Sequence, residues 1–438
     1  GVARLSAPYK ARHQRFVLRD KTFTQQFSHV YNLRLRALKG PVTRAAERRW
    51  GGQVRASCGV QIVDRLVNMR EGDTWVAVGT TYKVMKLRPS ILDEYREDRG
   101  ISTAITLPVG QYSSGDDSMV LEDESGRVAL TGPAVDPQRM CSGLVIAVKG
   151  TVKNGELVAD DWCPAGLPPP PQLQLQPASP PVAGGSGSVL LVSGLQAGGG
   201  HSPFPAGLLW DFVAGYLGGE EDQAGASARI SRVIVCGDSV AESPANIING
   251  TGPSKRLTAG EQREAAAPVR ELDEQLAVLA SAAPTDVMPG ELDPANFTLP
   301  QQPLHPCLLP HAGRLGSLNR VTNPYEAEVG SRLFLGSSGQ PISDLDRYTG
   351  KGEMDDDDDT PVYLRRLEAT LRWRHMAPTA PETLGCYPFI DEDPFVIEEC
   401  PHVYFAGNQP GFATSLVKGG DRQEVSVFCR KTKQASGQ

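Results

Sequence analysis

Residues 284–306 read PTDVMPGELDPANFTLPQQPLHP. Thr285–Met288 reads as a short strand, which Pro289-Gly290 breaks at once into a long loop punctuated by proline. The loop begins Pro289-Gly290-Glu291-Leu292-Asp293 and holds no histidine before His305. Two upstream runs share this form. Residues 189–193, VLLVS, are a continuous apolar strand entering the Gly-rich stretch 194–200, and Ile230–Cys236, ISRVIVC, is a second that ends at Gly237-Asp238. Unbroken apolar strands are what a sheet covered on both faces requires. Helical segments are predicted between them, over 208–217 and 258–282. In the latter, Thr258 and Glu261 form a capping box, Val269, Leu272, Leu276 and Leu279 share a face, and Pro268 marks either a kink or the true first turn. Further strands are predicted at 332–335 and 403–406. The half of the chain around the quoted stretch is therefore α/β.

Upstream, residues 167–187 (LPPPPQLQLQPASPPVAGGSG) are too rich in Pro, Gly and Ser for a helix or a central strand and read as a linker. Before it lies β-rich sequence. TWVAVGTTYKVM starts at Thr74; SMVLEDESGRVALTG reads as two strands joined at Glu124-Ser125-Gly126; LVIAVKGTVKNGELVADDWCP reads as two more, with a type I′ turn at Asn154-Gly155. About five short strands, with Gly79 and Gly150 inside them, fit a small OB-type barrel. Trp75, Tyr82, Lys83, Lys86 and Arg88 would be its candidates for stacking and charge contacts with a single strand, weighed against core aromatics and ordinary surface cations. At the start, Phe23, Phe27, Tyr31, Leu35 and Leu38 recur at helical spacing behind Thr22-x-x-Gln25; Gly40-Pro41 is expected to end that helix before a second over 42–50. The expected domains are thus a helical region 1–52, a barrel 53–166, the linker 167–187, an α/β domain 188–430 and a polar tail 431–438 in which no strand is expected.

The chain has 438 residues, enough for two or three domains, with a net charge of −7. No run of apolar residues is long enough to span a membrane, and the N-terminus carries no apolar signal segment. The lack of a starting Met predicts a piece of a longer chain. Eight cysteines stand scattered with no Cys-x-x-Cys, which points away from a zinc or iron–sulfur site and toward a reducing compartment. Charge is uneven: residues 1–50 hold twelve Lys and Arg against two acidic residues, a segment that reads either as a DNA-touching arm or as a solvated helical surface. The five consecutive aspartates 355–359 read as a solvated loop. His305, His375 and His402 each stand apart from a second histidine at ligand spacing and read as structural. Ser193 is not in a nucleophile elbow, and the glycines after it lack the P-loop pattern.

The stretches DVMPGE, TLPQQPLHPC, VTNPYEA, FLGSSGQPISD, TAPETLGCYPF and ECPHVYFAGN resemble the small (B) subunits of replicative DNA polymerases, in wording of the delta type rather than the alpha or epsilon type. The resemblance covers nearly the whole chain. It implies N-terminal helices, an OB-type β-barrel and a calcineurin-like phosphoesterase α/β sandwich whose active site is degenerate. Active members of that phosphoesterase fold hold two metals with His, Asp and Asn ligands at strand ends. Where the resemblance expects Asp-x-His this chain has Ser193-Gly194-Leu195; for Gly-Asp-x-x-Asp it has Gly237-Asp238 and then Ala241. For Gly-Asn-His it has Pro289-Gly290-Glu291, and for Gly-His-x-His it has Gly407-Asn408-Gln409. The glycines persist while the ligands do not. The expectation is no catalytic residue, no metal and no cofactor, with Asp238 and Glu291 the only remaining carboxylates.

On the same resemblance the partners are the Cys-rich C-terminal module of the polymerase delta catalytic subunit and a third subunit carrying a sliding-clamp contact. Sharing with polymerase zeta, weak or indirect DNA contact and a nuclear location are implied as well. The rival readings are a residual metal-dependent phosphodiesterase or nuclease, resting on Asp238 and Glu291, and a stand-alone single-strand binder.

Overall fold

The computed structural model describes residues 4–19, 22–55, 61–88, 111–171, 187–199, 204–241, 260, 263–264, 266–349, 360–419 and 424–431. The first elements in chain order are β1 (Tyr9–Ala11), α1 (Ser28–Arg55), β2 (Gln61–Ile62), β3 (Thr74–Val84), β4 (Ser118–Asp123), β5 (Gly126–Thr131), β6 (Val145–Lys153) and β7 (Glu156–Cys163). Next come β8 (Ser188–Val192), α2 (Phe204–Ala214), β9 (Ile230–Cys236), α3 (Ala267–Ala282), β10 (Thr285–Met288), β11 (Leu318–Arg320), β12 (Tyr325–Val329) and β13 (Arg332–Ser337). The last are α4 (Val362–Trp373), β14 (Val403–Gln409), β15 (Ala413–Lys418) and β16 (Glu424–Lys431). Two compact units result: Thr22–Pro169 with Pro341–Cys400, and Gly1–Lys21 with Pro170–Gln340 and Pro401–Gln438.

The first unit is built on the barrel. Its strands run β2-β3-β4-β5-β7-β6, and β3 also pairs with β6 from Thr74↔Thr151 to Thr80↔Val145, which closes the sheet and leaves the long central strands without open edges. Ala77, Met119, Leu121, Leu130, Ile146, Val148, Leu157 and Ala159 fill the interior. The other face of β3 and β6 presents Val76, Val78, Val145 and Ala147 to Leu35, Leu38, Val42, Ala46 and Trp50 of α1. These two strands are covered on both sides there, which is why residues 75–78 (WVAV) and 145–148 (VIAV) are continuous apolar runs. Gly79 and Gly150 are demanded by close approach. A Cβ at Gly79 would sit 2.7 Å from the Glu122 carbonyl, and one at Gly150, beside a register shift, 2.3 Å from that of Val158. Asn154 and Gly155 both have positive φ, 53° and 77°, as a type I′ hairpin turn requires.

Three sequence expectations are corrected here. Gly40-Pro41 does not end a helix: α1 runs through Pro41 as one 28-residue helix. The apolar stripe from Leu35 to Trp50 continues across the proline onto the barrel, and that burial outweighs the lost hydrogen bond. Phe23 and Phe27 lie outside α1 and are 66% and 47% exposed, so the aromatic stripe begins at Tyr31 rather than Phe23. Residues 341–400, read with the α/β half, pack instead with the barrel: Leu345 and Tyr348 join its core, and Asp393 binds Arg34.

The second unit is a sandwich of a four-stranded parallel sheet, β11-β10-β9-β8, and a six-stranded mixed sheet, β1-β12-β13-β14-β16-β15. Strand β9 shows why ISRVIVC is wholly buried. Ile234 and Cys236 face Tyr325, Phe334 and Phe405 of the other sheet, whereas Val233 and Val235 face Trp210 and Val213 of α2 and Leu272, Leu276 and Leu279 of α3. Pro268 stands in the first turn of α3, where it costs nothing. Beyond the elements expected, β1 pairs with β12, anchored by Arg12 and Arg15 on Glu326. The polar terminus is also corrected in part: β16 reaches Lys431 and is an inner strand, with Cys429 paired to both Ala406 and Ala413. Residues 432–438, the acidic run 355–359, Thr258 with Glu261, and linker residues 172–186 lie outside the described residues. No described helix is long and apolar enough to cross a membrane.

Candidate functional site

The four loop ends singled out in the sequence do converge, at the C-terminal ends of β8, β9, β10 and β14. Gly194 donates its N–H to the Gly237 carbonyl at 3.0 Å, and Gln196 and Ala197 donate to the carbonyls of Asp238 and Ser239 at 3.2 and 2.9 Å. The β10 end joins through Asp238, whose Oδ1 accepts the Leu292 N–H at 3.2 Å. Asn408 completes the ring. Its N–H donates to Ser193 Oγ at 3.2 Å, and its side-chain amide donates to the carbonyls of Cys236 and Ser338 at 3.3 and 2.9 Å. Gln409 donates to the carbonyls of Gly407 and Gly339, at 3.0 and 3.3 Å.

Glycine is needed at these ends because the loops touch backbone to backbone. A Cβ at Gly290 would lie 2.3 Å from the Asp238 nitrogen, and one at Gly407 2.6 Å from the Cys236 carbonyl oxygen. Gly237 has φ +84° and its Cβ would collide with Gly290. Asp238 and Asn408 both adopt φ 51°, a left-handed conformation that Asn and Asp tolerate better than most side chains.

The central carboxylate is Asp293, to which the sequence alone assigns no role. It is buried, and it accepts the N–H groups of Ser239 at 2.7 Å and Val240 at 3.0 Å on one oxygen and of Gly290 at 2.8 Å on the other. One side chain thus ties the β9 loop to the β10 loop. Burial pushes its pKa up to about 7, and the charge of Asp238 adds to the rise. Asp238 is pushed up to about 6, mainly by burial, against the bond it accepts from Leu292. Glu291 is exposed. The signal for Asp293 was its place three residues after Gly290, the spacing at which an acidic side chain reaches back to a backbone N–H as in a capping box.

A set of amides supports the ring from behind. Asn323 Nδ2 donates to Gln301 Oε1, Ser338 Oγ and Gln340 Oε1 at 2.8, 2.9 and 2.8 Å; Gln301 Nε2 donates to the Gly290 carbonyl at 2.9 Å. This gives a physical role to TLPQQP, VTNPY and GSSGQ: the first supplies Gln301, the second Asn323 and the third both Ser338 and Gln340.

Among the described residues no three His, Cys, Asp or Glu side chains come together in a way that holds a metal ion. Asp293 directs both oxygens at backbone N–H groups, and Asn408 directs its amide at carbonyls. The three histidines lie elsewhere: His305 Nδ1 contacts Cys307 Sγ at 2.8 Å, His375 bonds Asp393 at 2.9 Å, and His402 Nδ1 accepts the Leu333 N–H at 3.0 Å. The barrel candidates are also occupied. Lys83 is buried against Asp117 at 3.2 Å, Lys86 pairs with Asp116 at 3.1 Å, and Arg88 bonds the Glu382 carboxylate and carbonyl. Trp75 packs on the barrel core, while Tyr82 is half-buried.

Comparison with known proteins agrees with the motifs. A family model for the B-type subunit of DNA polymerases alpha and epsilon matches residues 189–414, and one for the OB-fold domain of the DNA polymerase delta subunit matches residues 26–162. The chain is 39% identical to the DNA polymerase delta small subunit of Oryza sativa subsp. japonica, over 98% of this chain and 93% of that one. It is likewise 39% identical to that of Arabidopsis thaliana, over 97% and 90%. With that of Saccharomyces cerevisiae it shares 30% identity, over 92% of this chain and 84% of the relative. The chain belongs to the family of DNA polymerase delta small subunits.

Proposed function

We propose that this chain is a non-catalytic accessory subunit of DNA polymerase delta, acting in the nucleus in replication and repair by holding other subunits together. Its partners on this reading are the Cys-rich C-terminal module of the catalytic subunit and a third subunit that brings a sliding-clamp contact. Polymerase zeta would use the same subunit. The observation that carries the reading is the self-satisfied ring of loop ends. Asp293, Asn408 and Gln409 direct their polar atoms at the protein's own backbone, and Gly290 brings two loops into van der Waals contact. Two-metal hydrolysis needs ligands from several strands around an open space. A framework closed in this way serves rigidity, and rigid surfaces bind partners at low entropic cost.

The test is co-expression with the Cys-rich module of the catalytic subunit, followed by size-exclusion chromatography. Co-elution at equal stoichiometry is expected; two folded proteins that elute apart overturn the bridging role. The non-catalytic part is tested separately, by phosphodiester hydrolysis with added manganese. Background rates are expected, and metal-dependent turnover that disappears in Asp238→Ala would establish a residual enzyme instead.

A further inference from the structure

The two sheets of the second unit are unequal in width, and the mismatch falls at one place. The four-stranded sheet ends at β8, which pairs with β9 on one side and, among the described strands, with none on the other. Val189 and Leu191 of β8 pack in one cluster with Phe334, Val403, Phe405 and Phe428 of the facing sheet. Beyond β14 that sheet continues with β16 and then β15.

The register shows what these two strands turn toward the missing layer. Phe405 pairs with Phe428 and Phe428 with Thr414, so the three share a face, and alternation puts Leu416 on it as well. Exposure rises along that face as the opposing sheet runs out. Phe405 is buried, Phe428 half-buried, Thr414 exposed, and Leu416 is 50% exposed. A cavity of about 580 Å³ opens at the step, lined by Leu190 and Leu191 on one side and by Phe334, Phe412 and Phe428 on the other. Phe412 is 71% exposed. Natural edge strands are commonly guarded by charge, proline or a bulge. Residues 188–192, SVLLV, hold neither charge nor proline, and their one register shift lies at the start, between Ser188 and Val189.

We propose that β8 is a docking edge for an extended segment of another polypeptide, which adds a strand to the four-stranded sheet and lays apolar side chains on Phe428, Leu416 and Phe412. An open row of backbone N–H and C=O groups is complemented by another backbone in extended form. The overhang selects the occupant. Two strands past β8 make a step about 10 Å wide at the usual strand spacing. A second copy pairing through its own β8 would bring either its own overhanging strands or its helices α2 and α3 into that step. A single strand or a hairpin fits it. Arg332, exposed, is the one charged residue among the described residues lining the cavity, so the incoming segment is apolar with an acidic residue at one end. The inference stands apart from the bridging role above and is tested without any polymerase subunit.

The experiment is hydrogen–deuterium exchange of the full chain, alone and with a short acetylated peptide in which Val alternates with Thr and one end is Glu. In the free chain the amides of residues 188–192 that are not bonded to β9 should exchange fast; with peptide they should slow. The same peptide N-methylated throughout keeps its side chains, loses every backbone donor and should give no protection. Leu416→Glu should weaken binding of the labelled peptide by about tenfold or more, whereas Val278→Glu, the same change at an exposed site on α3, should not. Both side chains are exposed, so both variants should keep the wild-type melting temperature. No protection of 188–192 at millimolar peptide, equal binding of the N-methylated peptide, or equal affinities of the two variants overturns the docking edge. A concentration-dependent dimer that protects 188–192 without peptide also overturns it, assigning the edge to a second copy. Protection of all these amides in the dilute free chain overturns it as well, since the edge is then filled from within the chain.

Discussion

Arg34 Nε lies 2.9 Å from Asp393 Oδ2, and neither side chain exposes any surface. Three more N–H groups of Arg34 go to the carbonyls of Gly143, Pro378 and Ala380, at 3.2, 2.7 and 2.7 Å. One cation thus holds α1, the barrel and the 378–393 segment together. Asp393→Ala would strand that cation in the interior. The expected loss is about 3–5 kcal/mol, read as a lowered denaturant midpoint; a change below 1 kcal/mol would mean that the charge finds water.

The same carboxylate accepts a bond from His375 Nε2 at 2.9 Å, while His375 Nδ1 accepts the Ala377 N–H at 3.2 Å. Burial pushes the His375 pKa down to about 4 from 6.5, with Arg34 adding to the drop. The folded state therefore resists protonation that the unfolded chain accepts at 6.5. Stability from this group is complete above that pH and is lost as pH falls toward 4. Asp393, held well below the ordinary carboxylate range by His375 and Arg34 against the cost of burial, adds a further loss only below about pH 4. Melting temperature should fall from pH 7 to pH 4, and His375→Gln should flatten that fall.

Asp293 and Asp238 work with the opposite sign. Their folded pKa values are raised, to about 7 and about 6, so the stability they contribute is present at acid pH and is lost as pH rises through those values. Asp238→Asn keeps an oxygen for the Leu292 N–H and removes the like charge. Carbon-13 titration should then show the Asp293 carboxyl titrating at lower pH, with the variant gaining stability at pH 8 relative to pH 5. An unshifted Asp293 would show that burial alone sets its value.

Gly290→Ala places a Cβ 2.3 Å from both the nitrogen and Oδ1 of Asp238, neither of which can give way without opening the ring. A loss of roughly 3 kcal/mol or more is expected, at or above the upper end of the ordinary range for overpacking. Gly115→Ala meets nothing within 4 Å and serves as the matched control, with a change within about 0.5 kcal/mol or a slight gain.

Pro41 sits inside α1, one helical turn beyond Ala37, whose carbonyl it cannot bond. Pro41→Ala should stabilise the barrel unit by roughly 1–3 kcal/mol, seen as a higher melting temperature. A loss would show that the ring's own packing matters more than the missing bond.

Local order was legible wherever a segment's own chemistry decides its shape. Strands β3 to β7, β9 and β10 and the Asn154-Gly155 turn follow from β-branched runs and positive-φ turn residues; Pro268 left a kink or a first turn open, and the structure places it in the first turn of α3. Strands β15 and β16 were not legible, because their residues are polar enough to read as loop and are strands only through pairing with β14 and each other. The break expected at Gly40-Pro41 failed for a related reason: local propensity, worth a few kcal/mol, lost to a stripe of side chains buried on the barrel.

The sequence alone determined the membership in the small-subunit family and the barrel followed by an α/β sandwich, because those are written in contiguous motifs. Only the tertiary structure decided how the four loop ends are tied together. Asp293 became the knot of the ring, and Gln301, Asn323 and Gln340 its support. Each of these joins side chains far apart in sequence. Such pairings depend on how sheets and helices stack, which no local periodicity records.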